Sequence, residues 1–424
     1  MSRRKRSGKQ VEKRNDSADT GTEPLSLSAK ALICFGTALI YYFSNPKPQS
    51  YYDYTFRVAA NMLHGRIAFN LPQPGWLNEF VPFEGYFYSV FPLGAVLSMM
   101  PFALLQVLGI IKEMPGAFIA ALLAGASCWF CLQIAESYQL DNTKRVLYSL
   151  AILFGTFTWA NLTFEGAWQL ALGFAMLGEL GAIYFTVCDR RPWLAGIFFA
   201  IAFGNRTECL LIAPVLMYFV WTDARGKKRG SAEGEKQGTL DVLSFCAVPF
   251  VLGVATLGYN YVRFHSITDF GYARIPGVLD EPWYNHGIFS VYYIPRQAYE
   301  MLLKLWNWKS TFPYLIPDGF SASILFSSPF LLLMFRSGHK NGALKFCSWA
   351  AVVLLTLTLW MHGNSGGWQF GYRYAIVLLP WILVLLLESA KKGVTRVEWA
   401  LFSLSFAANA YATWLFNWTE YVKP

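Results

Sequence analysis

The sequence predicts an all-α fold, a polytopic integral membrane protein of about eleven transmembrane helices, and three features of the 424 residues carry that expectation. Hydrophobic residues make up 55% of the chain and charged residues only 14%, where a soluble chain carries roughly a quarter charged. Apolar runs approaching the ~20 residues that cross a hydrocarbon core of about 30 Å recur from about residue 27 onward. Lys and Arg gather in short clusters between those runs, so the net charge of +9 reads as a topology signal and not as a nucleic-acid surface. No polar block is large enough for a soluble domain, and residues 27–424 read as one membrane domain.

Residues 1–26 are polar and basic, and are expected to form a disordered cytoplasmic tail. The run at about 27–45 lacks a small-residue cleavage site and is followed by SNPKPQS, so it reads as a retained first helix that leads out from a cytoplasmic N-terminus. Residues 46–85 then lie outside. The next apolar stretch, 86–135, is broken only by Lys112 and Glu113, and the parity of everything beyond depends on it. The loops DNTKR (141–145), DRRP (189–192), TDARGKKRGSAEGEK (222–236), RSGHKNGALK (336–345) and AKKGVTR (390–396), with the N-terminal tail, hold 22 of the 35 Lys and Arg. They all fall inside only if 86–111 re-enters or lies on the membrane surface, with 116–135 as the second crossing.

The stretch 193–221 starts and ends inside on the same logic and is short for two spans. It reads as a broken helical hairpin with GNRTE at its tip, lining a polar cavity or holding an internal Arg206–Glu208 pair. Helices are expected near 146–162, 166–187, 241–258, 317–335, 346–361, 374–388 and 398–416. Three outer segments, 46–85, 259–316 and 362–373, should converge on one external face, since loops this long are usually functional. All seven cysteines lie in or at the ends of apolar runs. They give neither loop disulfides nor a metal-ligand spacing, so no cofactor is expected, with a divalent metal left open.

Asp53 in YYDYTFRVAANMLHG precedes a plausible amphipathic helix. Its carboxylate can cap that helix, or serve as a base for an incoming hydroxyl, and the two roles are compatible. WLNEFVPFEGYFYSVFPLG places Glu79, Glu84, Tyr86, Tyr88 and Ser89 ahead of the re-entrant element, and Glu165 stands at an outer tip. The segment 259–277 mixes Arg263, His265 and Arg274 with aromatic residues. Guanidinium groups suit a phosphate. The last outer loop, WMHGNSGGWQFGYRY, offers four glycines and ends in Tyr372 and Arg373, a backbone and a cation that suit an anionic head group.

Taken together, DYTFRVAANMLHG, EGYFYSVFPLGAVLSMMP, FGNRTE, YNYVRFHSITDFGY and GGWQFGYRYAIVLLP resemble the GT-C superfamily of polytopic glycosyltransferases, nearest to its bacterial protein-mannosyltransferase-like and aminoarabinose-transferase-like branch. The resemblance implies a polyprenyl-phosphate sugar as donor, a lipid, glycan or protein acceptor, and inverting transfer on the extracytoplasmic face of a bacterial inner membrane. Carried over by position, it implies Asp53 as base and Arg373, with Arg206 or Arg274, at the leaving phosphate. Glu84, Tyr88, Glu165, Arg263, His265 and Tyr372 are then candidate substrate contacts. Membrane lipids are expected partners; nucleic acid is not. The mannosyltransferase pattern has an adjacent acidic pair in the first outer loop, whereas Tyr52 and Tyr54 flank a single Asp53 here. A multi-helix transporter or lipid-linked substrate flippase is the rival reading.

Overall fold

The computed structural model describes residues 23–46, 52–227 and 232–422. The expected tail at 1–26 falls almost wholly outside these residues. The chain begins with α1 (Leu27–Phe43) and α2 (Tyr54–Leu63), then an antiparallel hairpin of β1 (Phe80–Phe83) and β2 (Tyr86–Ser89). Glu84 and Gly85 form its two-residue turn with φ of 47° and 82°, the positive pair that lets a hairpin close with the natural strand twist. Next come α3 (Leu93–Val107), α4 (Gly116–Glu136), α5 (Asn142–Phe154), α6 (Thr158–Leu162) and α7 (Ala167–Ile183), which continues as a π-helix to Cys188.

The broken hairpin is α8 (Pro192–Asn205), a 3-10 turn (Thr207–Ile212) and α9 (Ala213–Lys227). Then follow α10 (Ala232–Phe264), α11 (Ile294–Leu302), the short strands β3 (Asn307–Trp308) and β4 (Leu315–Ile316), α12 (Ile324–Ser327) and α13 (Gly342–Met361). A 3-10 turn (Arg373–Leu378) leads into α14 (Leu379–Glu388), and α15 (Arg396–Trp418) closes the described bundle. The two hairpins correct the all-α expectation: the loops at 80–89 and 307–316 use strand pairing to satisfy backbone groups that no helix takes up.

Four of the five basic loops meet at one end of the bundle. Lys144 and Arg336 both pair with Glu398 (2.8 and 2.6 Å), and the Tyr148 hydroxyl donates to the same carboxylate. Glu388 accepts from Tyr138 and from the backbone N–H groups of Lys340 and Asn341. The Asp141 N–H donates to the Lys392 carbonyl, and Cys188 contacts Ser137. Lys30, in the first turns of α1, pairs with Glu136 at the end of α4. Charges from distant loops converge here because each buried cation needs a carboxylate within reach.

The same contacts decide the parity. Lys30 meets Glu136, whereas Thr37, two turns further along α1, meets Cys128, so α1 and α4 are antiparallel. The segment between them, α3 included, therefore begins and ends at the end opposite the basic loops, as a non-crossing element must. At its start, Gly94 lies so close to Gly204 that a Cβ there would sit 2.4 Å from the Gly204 backbone. Two bare backbones are what allow α3 to press against the tip of the α8 hairpin.

Among the described residues, four helices are long and apolar enough to cross a membrane: Gly116–Glu136, Ala167–Cys188, Glu233–Phe264 and Gly342–Met361. The expected eleven do not appear as eleven long helices. Gly155 and Thr156 break the third apolar run into α5 and α6, and 3-10 turns break those at 207–212, 329–335 and 373–378. The apolar window of α10 is only 6% buried. It exposes Phe250, Val251, Val254 and Leu257, a surface that water disfavours and hydrocarbon does not.

Candidate functional site

Asp53 occupies the N-cap position of α2, yet its side chain makes no cap hydrogen bond. The carboxylate turns instead to the Arg57 guanidinium one turn on, 2.5 Å away. A full charge at i+4 outcompetes a neutral N–H, which corrects the expectation of a side-chain cap. Burial raises the Asp53 pKa above the usual carboxylate value, and Arg57 opposes the rise.

Tyr54, the next residue, is the pivot of the site. Its ring packs on Trp168 (4.7 Å), Phe91 (5.5 Å) and Phe80 (5.6 Å), and its hydroxyl bonds to the Trp76 carbonyl and the Asn78 amide. That clasp holds 76–80 over α2 and carries the neighbouring Glu79 inward. Glu79 is buried, and its Oε2 has no hydrogen-bond partner. Burial pushes its pKa up to about 8, against the pull of the Arg373 guanidinium and the Trp168 indole. An unsatisfied buried polar group costs about 1–3 kcal/mol, and a catalytic role is one of the few things that explain its retention.

Arg373 opens the 3-10 turn that follows the glycine-rich loop. It is buried, donates to the Gly367 carbonyl (2.8 Å) and leaves its Nε without a partner. Its guanidinium lies 5.3 Å from the Tyr374 ring and 5.8 Å from Trp168. Arg206, at the tip of the α8 hairpin, lies 4.8 Å from the same Tyr374 ring and pairs with Glu208 at 2.7 Å. Of the two readings of GNRTE, the internal ion pair is present, with the Arg206 guanidinium set over the Tyr374 ring. Just beyond the tip, Cys209 donates to Glu179, partway along α7, at 2.9 Å.

His362, at the end of α13, completes the aromatic wall with Phe289 (5.2 Å), Tyr374 (5.7 Å), Tyr284 (5.8 Å) and Tyr272 (6.0 Å). Its Nδ1 lies 2.6 Å from the Asn364 carbonyl. Burial lowers its pKa to about 4, and the Arg206 and Arg373 charges push the same way.

The other sequence candidates lie elsewhere or are already engaged. Arg274 pairs with Asp269 (2.7 Å) and packs on Phe83 and Phe264. Arg263 is buried, donating to the Ser89 and Phe91 carbonyls and to Asn260. Glu84, in the hairpin turn, faces His265 at 3.5 Å, both largely exposed. Tyr88 packs on Tyr86 and Phe264, and Tyr372 is buried with its hydroxyl on Gln297. Glu165 adopts a φ of 68° and is buried against Gly116 at the start of α4, where burial raises its pKa to about 7.

The structure thus brings Arg206 and Arg373 together with Glu79, His362 and Tyr374. Sequence reasoning noted Glu79 without choosing it and missed His362 and Tyr374. The adjacency of Arg373 and Tyr374 was the one available signal, a cation beside an aromatic ring. Among the described residues no group of three or more His, Cys, Asp or Glu is arranged to hold a metal ion.

No family model and no curated protein matches this chain. Among solved structures it is similar to the Archaeoglobus fulgidus oligosaccharyltransferase in its apo form, at 11% identity and a TM-score of 0.43. It is also similar to the oligosaccharyltransferase AglB of the same organism in complex with an inhibitory peptide and a dolichol-phosphate, at 12% identity and a TM-score of 0.42. Each comparison covers 92% of this chain and 55% of the other, so the chain spans little more than half the length of those structures.

Proposed function

We propose that this chain is a GT-C-like membrane glycosyltransferase that moves a sugar from a polyprenyl-phosphate donor to a hydroxyl acceptor on the extracytoplasmic face. The observation that supports it best is the convergence of Arg206 and Arg373 on the face of Tyr374, beside the unsatisfied carboxyl of Glu79. Two guanidiniums set among aromatic rings suit a phosphate attached to an apolar chain, because fixed donors meet the charge and rings suit the chain.

In the proposed reaction the acceptor oxygen attacks the anomeric carbon and Asp53 takes the hydroxyl proton. The bond from that carbon to the phosphate oxygen breaks as the new bond forms, and its electron pair leaves with the polyprenyl phosphate. Arg206 and Arg373 stabilise the charge that develops there. A single displacement inverts the anomeric centre. Asp53 suits the base role because Arg57 favours its ionised form. Glu79, with a pKa of about 8, is largely protonated at neutral pH and can donate its O–H to the donor. Arg274, engaged with Asp269, has no part in this reading. Supplying the protein in membranes with labelled polyprenyl-phosphate sugars tests the proposal: label should pass to an acceptor, and Arg373→Ala should abolish that.

The transporter or flippase reading draws on one observation, the buried Glu179 partway along α7 with an unpartnered Oε2. Buried carboxylates within a spanning helix often mark ion pathways. It predicts movement of a lipid-linked substrate without bond cleavage, which the same assay separates by product.

A further inference from the structure

Two cavities outside this site share one wall. The first, of about 460 Å³, lies between the end of α1, Trp159 of α6 and the last turns of α15, and its lining is almost wholly apolar. The second, of about 980 Å³, opens beside it between the 307–320 segment and residues 418–422, with Asn307, Lys309 and Asp318 among its lining residues. Trp418 lines both. It is held in that position by its indole N–H on the Ser44 carbonyl (2.9 Å), while the neighbouring Asn417 bonds to the same carbonyl and to Thr163.

Both cavities lie at the end opposite the basic loops, since Ser44 follows α1 and Lys30 marks its other end. The apolar cavity opens on the exposed Ile40, Phe43 and Trp418, a flank continuous with the apolar helix surface. A ligand for it would arrive carried in the membrane. The polar cavity mixes charges of both signs with amides and aromatic rings. That lining suits a neutral polyhydroxylated head better than a phosphate, which Glu420 and Asp318, the latter already paired with Lys304 at 3.2 Å, disfavour. A tryptophan between the two, apolar in its rings and polar at its N–H, fits the junction of a chain with such a head.

We infer that the paired cavities bind a glycolipid, its chain beside α1 and α15 and its sugar head between β3 and residues 418–422. The head cavity is tied to the cation pair through one side chain. Gln369 donates its backbone N–H to the Gly319 carbonyl (2.8 Å) and its amide to the Phe320 carbonyl, and its Oε1 accepts from the Arg373 N–H (2.8 Å). Gly319 and Phe320 are walls of the polar cavity. If the glycosyltransferase reading holds, on which this step rests, the glycolipid is the acceptor and its hydroxyls reach toward the donor past Gln369.

The test is binding of glucosyl-diacylglycerol to the full chain in nanodiscs, beside phosphatidic acid, soluble maltose and polyprenyl phosphate. Ala410→Trp fills the apolar cavity from an exposed position, and Asn307→Ala removes an exposed amide from the polar one. Each variant should weaken glucosyl-diacylglycerol binding about tenfold, the worth of roughly one hydrogen bond or one displaced chain segment, and leave polyprenyl-phosphate binding unchanged. Unaltered glycolipid binding in both variants would overturn the inference. Equal or tighter binding of phosphatidic acid would replace it with an anionic-lipid site, and equal binding of maltose would remove the chain cavity from it. Failure of polyprenyl phosphate to bind would sink the donor reading alone, leaving the glycolipid site standing.

Discussion

Arg206 and Arg373 lie against one aromatic ring, their guanidiniums 4.8 and 5.3 Å from the centre of Tyr374. One comes from the tip of a broken hairpin and the other from the turn after a glycine-rich loop. Arg206 has a carboxylate partner at close range, Glu208, while Arg373 keeps an unpartnered Nε. Charge-assisted hydrogen bonds contribute about 1.5–3 kcal/mol, so Arg373→Ala should weaken polyprenyl-phosphate binding roughly tenfold to a hundredfold. Arg373→Lys should recover little of that, since an ammonium lacks the planar fork. Calorimetry in detergent or nanodiscs reads both, and unchanged affinity would remove the cation pair from the donor site.

Glu79 makes stability depend on pH. Its pKa in the fold is about 8, against an ordinary value of 4.5. Below pH 4.5 both folded and unfolded chains carry the proton. Between 4.5 and about 8 only the folded chain does, so stability falls as pH rises, by ~1.4 kcal/mol per unit at most. Glu79→Gln should flatten the decline of the melting temperature across that window. The same variant should retain part of the transfer activity, because an amide still donates a hydrogen bond where a protonated carboxyl did. Complete loss with normal binding would make Glu79 the base.

How much of this was legible in the sequence varies residue by residue. Asp53, Arg206 and Arg373 stood out because each is a charge at the edge of an apolar run, a placement with few other uses. Glu79 did not, because its burial is made by the Tyr54 clasp and by Arg373, contacts between distant segments that leave no local pattern. Arg263 misled for the converse reason: a guanidinium among aromatic residues looks like a phosphate ligand, but here it satisfies the Ser89 and Phe91 carbonyls. The end that gathers the basic loops was legible from charge alone. The number of long helices was not, since the turns at 155–156, 207–212, 329–335 and 373–378 break apolar runs that hydropathy reads as continuous.

The non-crossing placement of α3 has its own test. In a variant lacking the seven native cysteines, Glu84→Cys and Lys112→Cys should be labelled by an impermeant maleimide from the same side, and Lys340→Cys only from the other. Labelling of Glu84→Cys and Lys112→Cys from opposite sides would mean that 93–107 crosses.

At the opposite end, Lys144 and Glu398 are both fully buried and paired at 2.8 Å. Replacing Glu398 with Ala leaves Lys144 uncompensated, which costs about 3–5 kcal/mol. The melting temperature should drop by several degrees while affinity for polyprenyl phosphate in the surviving fold stays normal. A variant as stable as the parent would mean that Lys144 finds another partner.

The most direct measurement is the transfer of labelled sugar from a polyprenyl-phosphate donor by Asp53→Asn. Loss of a general base lowers rates by about 10²–10⁴-fold. The expected result is a folded protein that still binds polyprenyl phosphate through Arg206 and Arg373 and transfers at least a hundredfold more slowly. Transfer at the parent rate would contradict the account.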